Sequence, residues 1–331
     1  MAGRVERVLV RAPARLHLGF LDPDGGLGRR FGSLGLAIEE IATEVEIARG
    51  REDTIEGPDT TRAAVHLARL RAAWTVVEPI TVRIHEAIPA HAGFGSGTQL
   101  GLAIGAGLAR LLGRSEPLEA IAELLERGAR SAIGLGAFAT GGFLVDGGRA
   151  PEDRLPPPVT VRLPFPEAWR ILLIVDPIRT GVHGTAETSA FAALPPSPEG
   201  LTDRLCRLVL LRLLPGLVRA ELAPVADTLG EIQRTMGERF ARFQGGGRFA
   251  SPTVAEVLAW LEAGGVRGVG QTSWGPTGWA IFPDAASAEA ARRDAEQRFA
   301  STGLRFRIVA GRNRPAEIIS FPPAVEPEST P

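Results

Sequence analysis

A glycine-rich segment at residues 89–99 constrains the fold of this chain more than any other part of the sequence. It follows an alternating segment, 80–85, that predicts a strand, and it precedes an apolar run, 98–112, that predicts a helix. Alternate glycines let backbone amides turn inward, and a helix N-terminus favours anions. The segment therefore predicts a phosphate cradle, although a tight turn without a ligand has the same pattern. Its candidate binding residues are His91, Gly93, Gly95, Ser96, Gly97, Thr98 and Gln99.

The basic residues limit the chemistry, because all 37 of them are arginine and the chain has no lysine and no tyrosine. A Walker A lysine, a lysine Schiff base and a tyrosine general acid are therefore excluded. Arginine, histidine, hydroxyls and backbone amides remain for binding anions. A GC-rich coding sequence explains the bias, but the chemical constraint holds whatever its origin.

The order of predicted elements gives an α+β chain with about two domains, since it has 331 residues. We expect domains at 1–155 and 156–321, divided by the glycines and prolines around residues 147–158, and a disordered acidic tail at 322–331. The predicted strands are 4–12, 16–21, 34–38, 44–48, 80–85, 141–146, 170–175, 266–271, 278–282 and 304–309. The predicted helices are 60–73, 98–112, 117–127, 201–220, 222–243, 253–263 and 285–300.

Bulk properties favour a cytoplasmic protein with small-molecule partners. The longest apolar run, 100–112, is too short to span a bilayer, and the first nine residues lack the apolar core of a signal peptide. The net charge of −1 argues against bulk nucleic-acid binding. The single cysteine, Cys206, excludes an internal disulfide, and its apolar neighbourhood predicts a small core residue.

Two further segments carry candidate residues. In the segment 13–20, Arg15 and His17 share one side of a predicted strand, which indicates either a surface feature or half of an anion site. The segment 268–278 compresses glycines, hydroxyls and an aromatic ring between two strands, which suits either a ligand wall or a packed hairpin. Its candidates are Gln271, Ser273 and Trp274.

The order of these three segments resembles the GHMP kinase superfamily. That resemblance implies an N-terminal half like ribosomal protein S5 domain 2 and a ferredoxin-like C-terminal half. Two departures argue against a kinase: Gly136 occupies the position of the catalytic Asp of some members, and the lysine that often assists that Asp is missing.

A narrower resemblance is to the β-ribofuranosylaminobenzene 5'-phosphate synthase family, carried by the strings at 91–99, 130–134, 141–148, 181–187 and 270–276. It implies a pentosyltransferase of tetrahydromethanopterin biosynthesis that joins phosphoribosyl pyrophosphate to 4-aminobenzoate and releases carbon dioxide and pyrophosphate. Mg²⁺ is the expected cofactor, with unknown ligands, and superfamily members are often homodimers.

This resemblance gives roles to the candidates. The glycine segment would bind pyrophosphate, Arg15 and His17 an anionic substrate group, and Trp274 the benzoate ring. The catalytic candidates are His183, Glu187, Asp176 and Arg130, and Ser131 is a further binding candidate. His183 and Glu187 are four residues apart and can face one site on a helix. An ATP-dependent small-molecule kinase and a non-catalytic binding module remain the alternatives.

Overall fold

The computed structural model describes residues 5–322. All but the first residue of the predicted tail, 322–331, therefore lie outside the described residues. The strands are β1 (Arg7–Asp22), β2 (Phe31–Arg49), β3 (Thr54–Glu56), β4 (Ile80–Glu86), β5 (Phe143–Asp146), β6 (Val159–Leu163), β7 (Arg170–Val175), β8 (Val269–Gln271), β9 (Gly278–Phe282), β10 (Arg305–Val309) and β11 (Glu317–Phe321). The helices are α1 (Thr60–Trp74), α2 (Ser96–Leu111), α3 (Leu118–Leu124), α4 (Ile133–Ala139), α5 (Gly184–Ala192), α6 (Leu201–Leu208), α7 (Leu214–Val218), α8 (Leu222–Phe240), α9 (Pro252–Ala263) and α10 (Ala285–Arg298). A π-helical segment, Val209–Leu213, joins α6 to α7.

The first sheet is built on the long antiparallel pair β1–β2, with the order β11-β1-β2-β4-β3, and β5 and β6 continue it from β2. The sequence predicts two strands in place of each long one, with a break at Pro13. The structure instead carries β1 through Pro13 with shifts of register at Pro13/Arg15 and His17/Gly19. Such bulges absorb a proline and re-aim the side chains that follow it. They lie directly beside Arg15 and His17.

Helix α2 lies against β1 and β2 through an almost entirely buried apolar surface. The glycines of this helix allow the close approach: a Cβ on Gly107 would lie 2.6 Å from the side chain of Ile47, and one on Gly105 would lie 2.3 Å from Ile121 of α3. The predicted helices 60–73 and 98–112 are therefore confirmed to within two residues at either end. This packing fixes the N-terminus of α2 beside Arg15 of β1.

The second sheet is antiparallel, in the order β10-β7-β9-β8, and α8 packs between β8 and β1. The expected boundary after residue 155 does not separate the two sheets. Strands β6 and β11 both lie after that residue, yet both pair with strands of the first sheet. The assignment of two domains stays a prediction. Cys206 is exposed on α6, so the expectation of a small core residue is wrong.

Among residues 5–322, no helix combines the length and the apolarity needed to cross a membrane.

Candidate active site

The three segments singled out in the sequence meet at one cavity of about 510 Å³ between the two sheets. Thr272 joins them: its hydroxyl donates to the carbonyl oxygen of Gly93 at 2.8 Å and accepts from the amide of His17 at 2.9 Å. The amide of Ser273 donates to the carbonyl oxygen of His17 at 3.1 Å. The cavity is lined by Arg15, His17, Phe20, Arg62, His91, 93–98, 126–131, 181–184, Glu187 and 273–275.

The glycine loop takes a shape that requires glycine at two positions. Gly93 and Gly95 have φ of 88° and 81°, a left-handed conformation that side chains disfavour. A Cβ on Gly93 would also lie 2.4 Å from the carbonyl oxygen of Thr272. Gly95 caps α2, and the amides of residues 94–97 donate to no other group in the part of the chain that the structure describes. These amides and the helix N-terminus have the geometry of the predicted anion cradle.

Two arginines that the sequence analysis missed flank this cradle. A Cβ on Gly97 would lie 3.4 Å from a terminal nitrogen of Arg62 and 3.6 Å from one of Arg127. Arg62 is held by the carboxylate of Asp59, with Nε 2.7 Å from Oδ1, and it donates to the hydroxyl of Ser96. Arg127 forms no salt bridge among residues 5–322, and its buried Nε has no hydrogen-bond partner there. Burial, and then the charges of Arg62 and Arg69, lower the pKa of Arg127.

Arg15 and His17 extend from β1 into the deeper part of the cavity. Arg15 donates to the carbonyl oxygen of Gly93, while its buried Nε has no partner within the described residues. Burial lowers the pKa of Arg15 to about 10, so it stays charged at neutral pH. Burial, together with the charges of Arg15 and Arg130, lowers the pKa of His17 to about 3. His17 is therefore a neutral hydrogen-bonding group in this cationic cavity.

An ion pair between Arg130 and Glu187 closes one side of the cavity. Nη2 of Arg130 lies 2.6 Å from Oε2 of Glu187, and the indole N–H of Trp274 donates to Oε1 at 3.1 Å. Burial raises the pKa of Glu187, and Arg130 partly offsets that effect. Trp274 is only 4% exposed and packs against Phe240, so little of its ring is open to a ligand.

Two histidines stack at the mouth of the cavity. The rings of His91 and His183 have centroids 3.8 Å apart with an interplanar angle of 29°. Nδ1 of His183 lies 2.7 Å from the carbonyl oxygen of Gly181, whose amide donates to the carbonyl oxygen of His91. His183 caps α5, so the expected spacing of one helical turn to Glu187 is present. Burial and the neighbouring His183 lower the pKa of His91.

Three candidate residues do not line this cavity. Asp176 accepts a hydrogen bond from the hydroxyl of Ser251 at 2.6 Å and from two backbone amides, and it caps a turn instead. Gln99 is fully buried and donates to the carbonyl oxygen of Gly134, which ties α2 to α4. Gln271 lies behind the late loop, where it accepts from the amide of Ala250 and braces Ser273.

Ser131 lies at the cavity wall, where its hydroxyl donates to Asp146 at 3.2 Å and accepts from the amide of Ile133. Asp146 also accepts from the amides of Ser33, Ala132 and Gly148, which hold the segment before α4. Ser131 thus helps to hold the start of α4 while facing the cavity.

Known proteins give the family. The model described as "GHMP kinases N terminal domain" matches residues 60–142, and "GHMP kinases C terminal" matches residues 213–301. A protein of Archaeoglobus fulgidus named beta-ribofuranosylphenol 5'-phosphate synthase is 29% identical over 93% of this chain and 98% of its own length. A protein of the same name from Methanocaldococcus jannaschii is 30% identical over 68% of this chain and 76% of its own length. The chain belongs to the β-ribofuranosylphenol 5'-phosphate synthase family.

Members of that family are enzymes, so this chain is an enzyme, and it is a pentosyltransferase. Solved structures agree on the fold. A homoserine kinase from Cytophaga hutchinsonii has a TM-score of 0.68 at 17% identity, covering 96% of this chain and 98% of its own. Mevalonate diphosphate decarboxylase from Staphylococcus aureus has a TM-score of 0.64 at 12% identity, covering 95% and 98%. The expected GHMP-kinase-like α+β fold is confirmed.

Proposed function

We propose that this enzyme joins phosphoribosyl pyrophosphate to 4-aminobenzoate and releases carbon dioxide and pyrophosphate. The observation that supports it best is the set of guanidinium groups beside the glycine loop, since Arg127 and Arg15 form no salt bridge among residues 5–322 and the buried Nε of each has no hydrogen-bond partner there. A guanidinium group can donate two parallel hydrogen bonds to two oxygens of one phosphate. The relatives' name specifies a phenol product, so 4-hydroxybenzoate is the second acceptor to test.

The pyrophosphate of the donor would bind the loop amides and the guanidinium groups of Arg62 and Arg127. The C1–oxygen bond then breaks, the electron pair leaves with pyrophosphate, and C1 becomes oxocarbenium-like. Of the two acids that line the cavity within the described residues, Glu187 is the more buried, and a charge held in place there stabilises the developing cation. His91, at the mouth, can donate to the departing pyrophosphate.

The acceptor needs no strong base. Its para amino or hydroxyl group pushes electrons into the ring, and the ring carbon that carries the carboxylate bonds to C1. The bond to the carboxylate then breaks, its electron pair returns to the ring, and neutral carbon dioxide leaves. Positioning and charge placement therefore supply the catalysis.

The expected Mg²⁺ has no preformed cluster of three or more His, Cys, Asp or Glu ligands among residues 5–322. Mg²⁺ commonly binds substrate phosphates while keeping several waters. We propose that it arrives with the pyrophosphate and neutralises charge on it, while the arginines contact the remaining oxygens. The expected homodimer stays a prediction.

A kinase is less well supported by the cavity. Its lining within the described residues holds two acids, Glu126 and Glu187, and each is paired with an arginine. Gly136 lies on α4 with its Cβ position directed at Leu144 and Val159, so it does not line the cavity. Neither acid is free to act as the base of phosphoryl transfer.

The test supplies phosphoribosyl pyrophosphate with carboxyl-labelled 4-aminobenzoate, and in parallel with labelled 4-hydroxybenzoate. We expect labelled carbon dioxide and pyrophosphate in equal amounts from at least one acceptor. If neither acceptor loses carbon dioxide, while ATP is consumed with a small alcohol, the proposal is wrong. Arg62→Gln should slow the reaction, whereas Arg305→Gln, at an exposed position on β10, should not.

A further inference from the structure

A second cavity, of about 490 Å³, lies beside the first. Its walls are mostly apolar and are formed by Phe31, Phe191, Ala150, Pro151 and Ala192. Phe31 and Phe191 pack edge to face with ring centroids 5.3 Å apart, so together they make one aromatic wall. Apolar walls with a few polar groups are typical of small-molecule sites.

Three arginines lie around this cavity, and its lining within the described part of the chain contains no acid. Arg30 and Arg149 face each other across an isolated antiparallel bridge, and each backbone amide donates to the other's carbonyl oxygen at 2.9 Å. Like charges at directly opposite positions repel. Among residues 5–322 the guanidinium groups of both residues donate to carbonyl oxygens, those of Pro23, Ala129 and Asp153, and neither forms a salt bridge. The charge of Arg30 does lower the pKa of nearby Asp24.

The backbone of Phe31 has φ of 77°, a conformation that is rare for a bulky residue. Residues held in such conformations cluster at ligand sites. Phe31 directly follows Arg30, whose guanidinium lies 5.2 Å from the ring centroid. The residue with this unusual backbone conformation thus forms part of the aromatic wall, and its neighbour Arg30 lies at the rim of the same cavity.

The two cavities meet at Arg130, which lines both. Its ion-pair partner Glu187 and the wall residue Phe191 are one turn apart on α5. The guanidinium of Arg130 also lies 5.4 Å from the centroid of the Phe191 ring. A ligand in the second cavity can thus place one end at Arg130, beside the cavity that suits the phosphates.

We propose that the second cavity is the binding site for the aromatic carboxylate acceptor, which rests on the proposed function. The ring lies against Phe31 and Phe191, and the carboxylate end is directed to Arg130. Arg30 and Arg149 at the rim attract the anion. Trp274, which the sequence predicts as the benzoate wall, lines the first cavity and is not among the described residues that line the second. Donor and acceptor then meet at Arg130, which lines both cavities.

The chief competitor for these arginines is the 5'-phosphate of the donor. Two substitutions separate the two ligands: Arg149→Gln removes a rim charge, and Ala192→Trp fills the cavity from an exposed position at the end of α5. Arg154→Gln, an exposed charge in the same segment that lines neither cavity, is the matched control. Calorimetry measures binding of 4-aminobenzoate, 4-hydroxybenzoate and phosphoribosyl pyrophosphate to each variant.

We expect Arg149→Gln to weaken benzoate binding roughly tenfold, the size expected for one charge-assisted interaction, and Ala192→Trp to weaken it at least as much by filling the space for the ring. Neither substitution should change donor binding. The control should match the unchanged enzyme. Weaker donor binding with unchanged benzoate binding would assign the arginines to the 5'-phosphate and overturn the proposal, and so would unchanged binding of all three ligands. Binding is measured without turnover, so it does not depend on the proposed reaction. Benzoate binding to the second cavity without release of carbon dioxide would contradict the reaction alone. Release of carbon dioxide with benzoate binding unchanged in both variants would contradict the site alone.

Discussion

Replacing Arg127 with methionine tests whether the loop and its arginines bind pyrophosphate. Methionine keeps much of the length and removes the charge. In the free enzyme the guanidinium is half-buried, its Nε has no partner among residues 5–322, and the nearby charges of Arg62 and Arg69 repel it. An unpaired, partly buried charge costs stability rather than adding it. We therefore expect Arg127→Met to leave the free enzyme as stable as before or more stable.

The bound state should respond in the opposite direction. A hydrogen bond to a charged group contributes about 2 kcal/mol, which corresponds to roughly thirtyfold in affinity. A ligand at 100 times its dissociation constant stabilises the folded protein by about 2.7 kcal/mol. At the same concentration, a thirtyfold weaker ligand gives only about 0.9 kcal/mol. For 331 residues, the entropy of unfolding is about 0.7 kcal/mol/K, so the shift in Tm should fall from about 4 °C to about 1 °C.

The assay is thermal unfolding with and without pyrophosphate, at fixed salt, on the unchanged enzyme, Arg127→Met and the control Arg305→Gln. The control should keep the full shift, because Arg305 is exposed on β10 and lines neither cavity. A full 4 °C shift in Arg127→Met would refute the assignment of this side chain to pyrophosphate. A lower Tm of the free variant would refute the argument that the charge is unpaired.

Three other substitutions or conditions test the site. Gly95→Ala forces a side chain into a left-handed conformation 3.1 Å from the guanidinium of Arg15, so we expect a loss of about 1–2 kcal/mol in unfolding measurements and a higher KM for the donor; an unchanged KM would contradict the cradle. Glu187→Gln should lower kcat with little change in the donor KM, as steady-state kinetics can show, because it removes a charge that stabilises the cation at C1; an equal kcat would exclude that role. The free energy of unfolding should fall as the pH drops from 6.5 to about 4. In the folded protein the pKa values of His17 and His66 are lowered to about 3 and about 4, so over this range the unfolded chain binds protons that the folded protein does not. His66→Asn should reduce this pH dependence in urea titrations at successive pH values.

The elements with a strong periodic pattern were predictable, and those set by distant pairing were not. The apolar periodicity of α1 and α2 is a local property, so their bounds follow from the sequence to within two residues. β6 comes directly after three prolines, which suggest a boundary, and β11 is a short strand near the C-terminus. Both strands exist because β5 and β1 offer free edges to pair with, and that information is not local.

The same distinction applies to the site. Gly93 and Gly95 could be identified because only their backbone freedom explains the pattern. Arg127 could not be identified, because it is one of the 37 arginines of the chain and simply follows the short helix α3. That it forms no salt bridge among residues 5–322 is visible only in three dimensions. Gln99 and Gln271 show the reverse case: a polar residue inside a motif can serve the backbone of the neighbouring segment instead of a ligand.

The missing lysine gains a physical meaning in this cavity. Arg15 is buried deeply enough to lower its pKa to about 10, yet it keeps its charge at neutral pH because an arginine begins at 12.5. The ordinary pKa of a lysine is about two units lower than that of an arginine, so the same burial would bring the lysine pKa close to neutral pH and the side chain would lose part of its charge. A lysine would also present a single point of charge, whereas a guanidinium fork can contact two phosphate oxygens. A cationic site with buried guanidinium groups therefore favours arginine on grounds of charge and of geometry, whatever the base composition of its coding sequence.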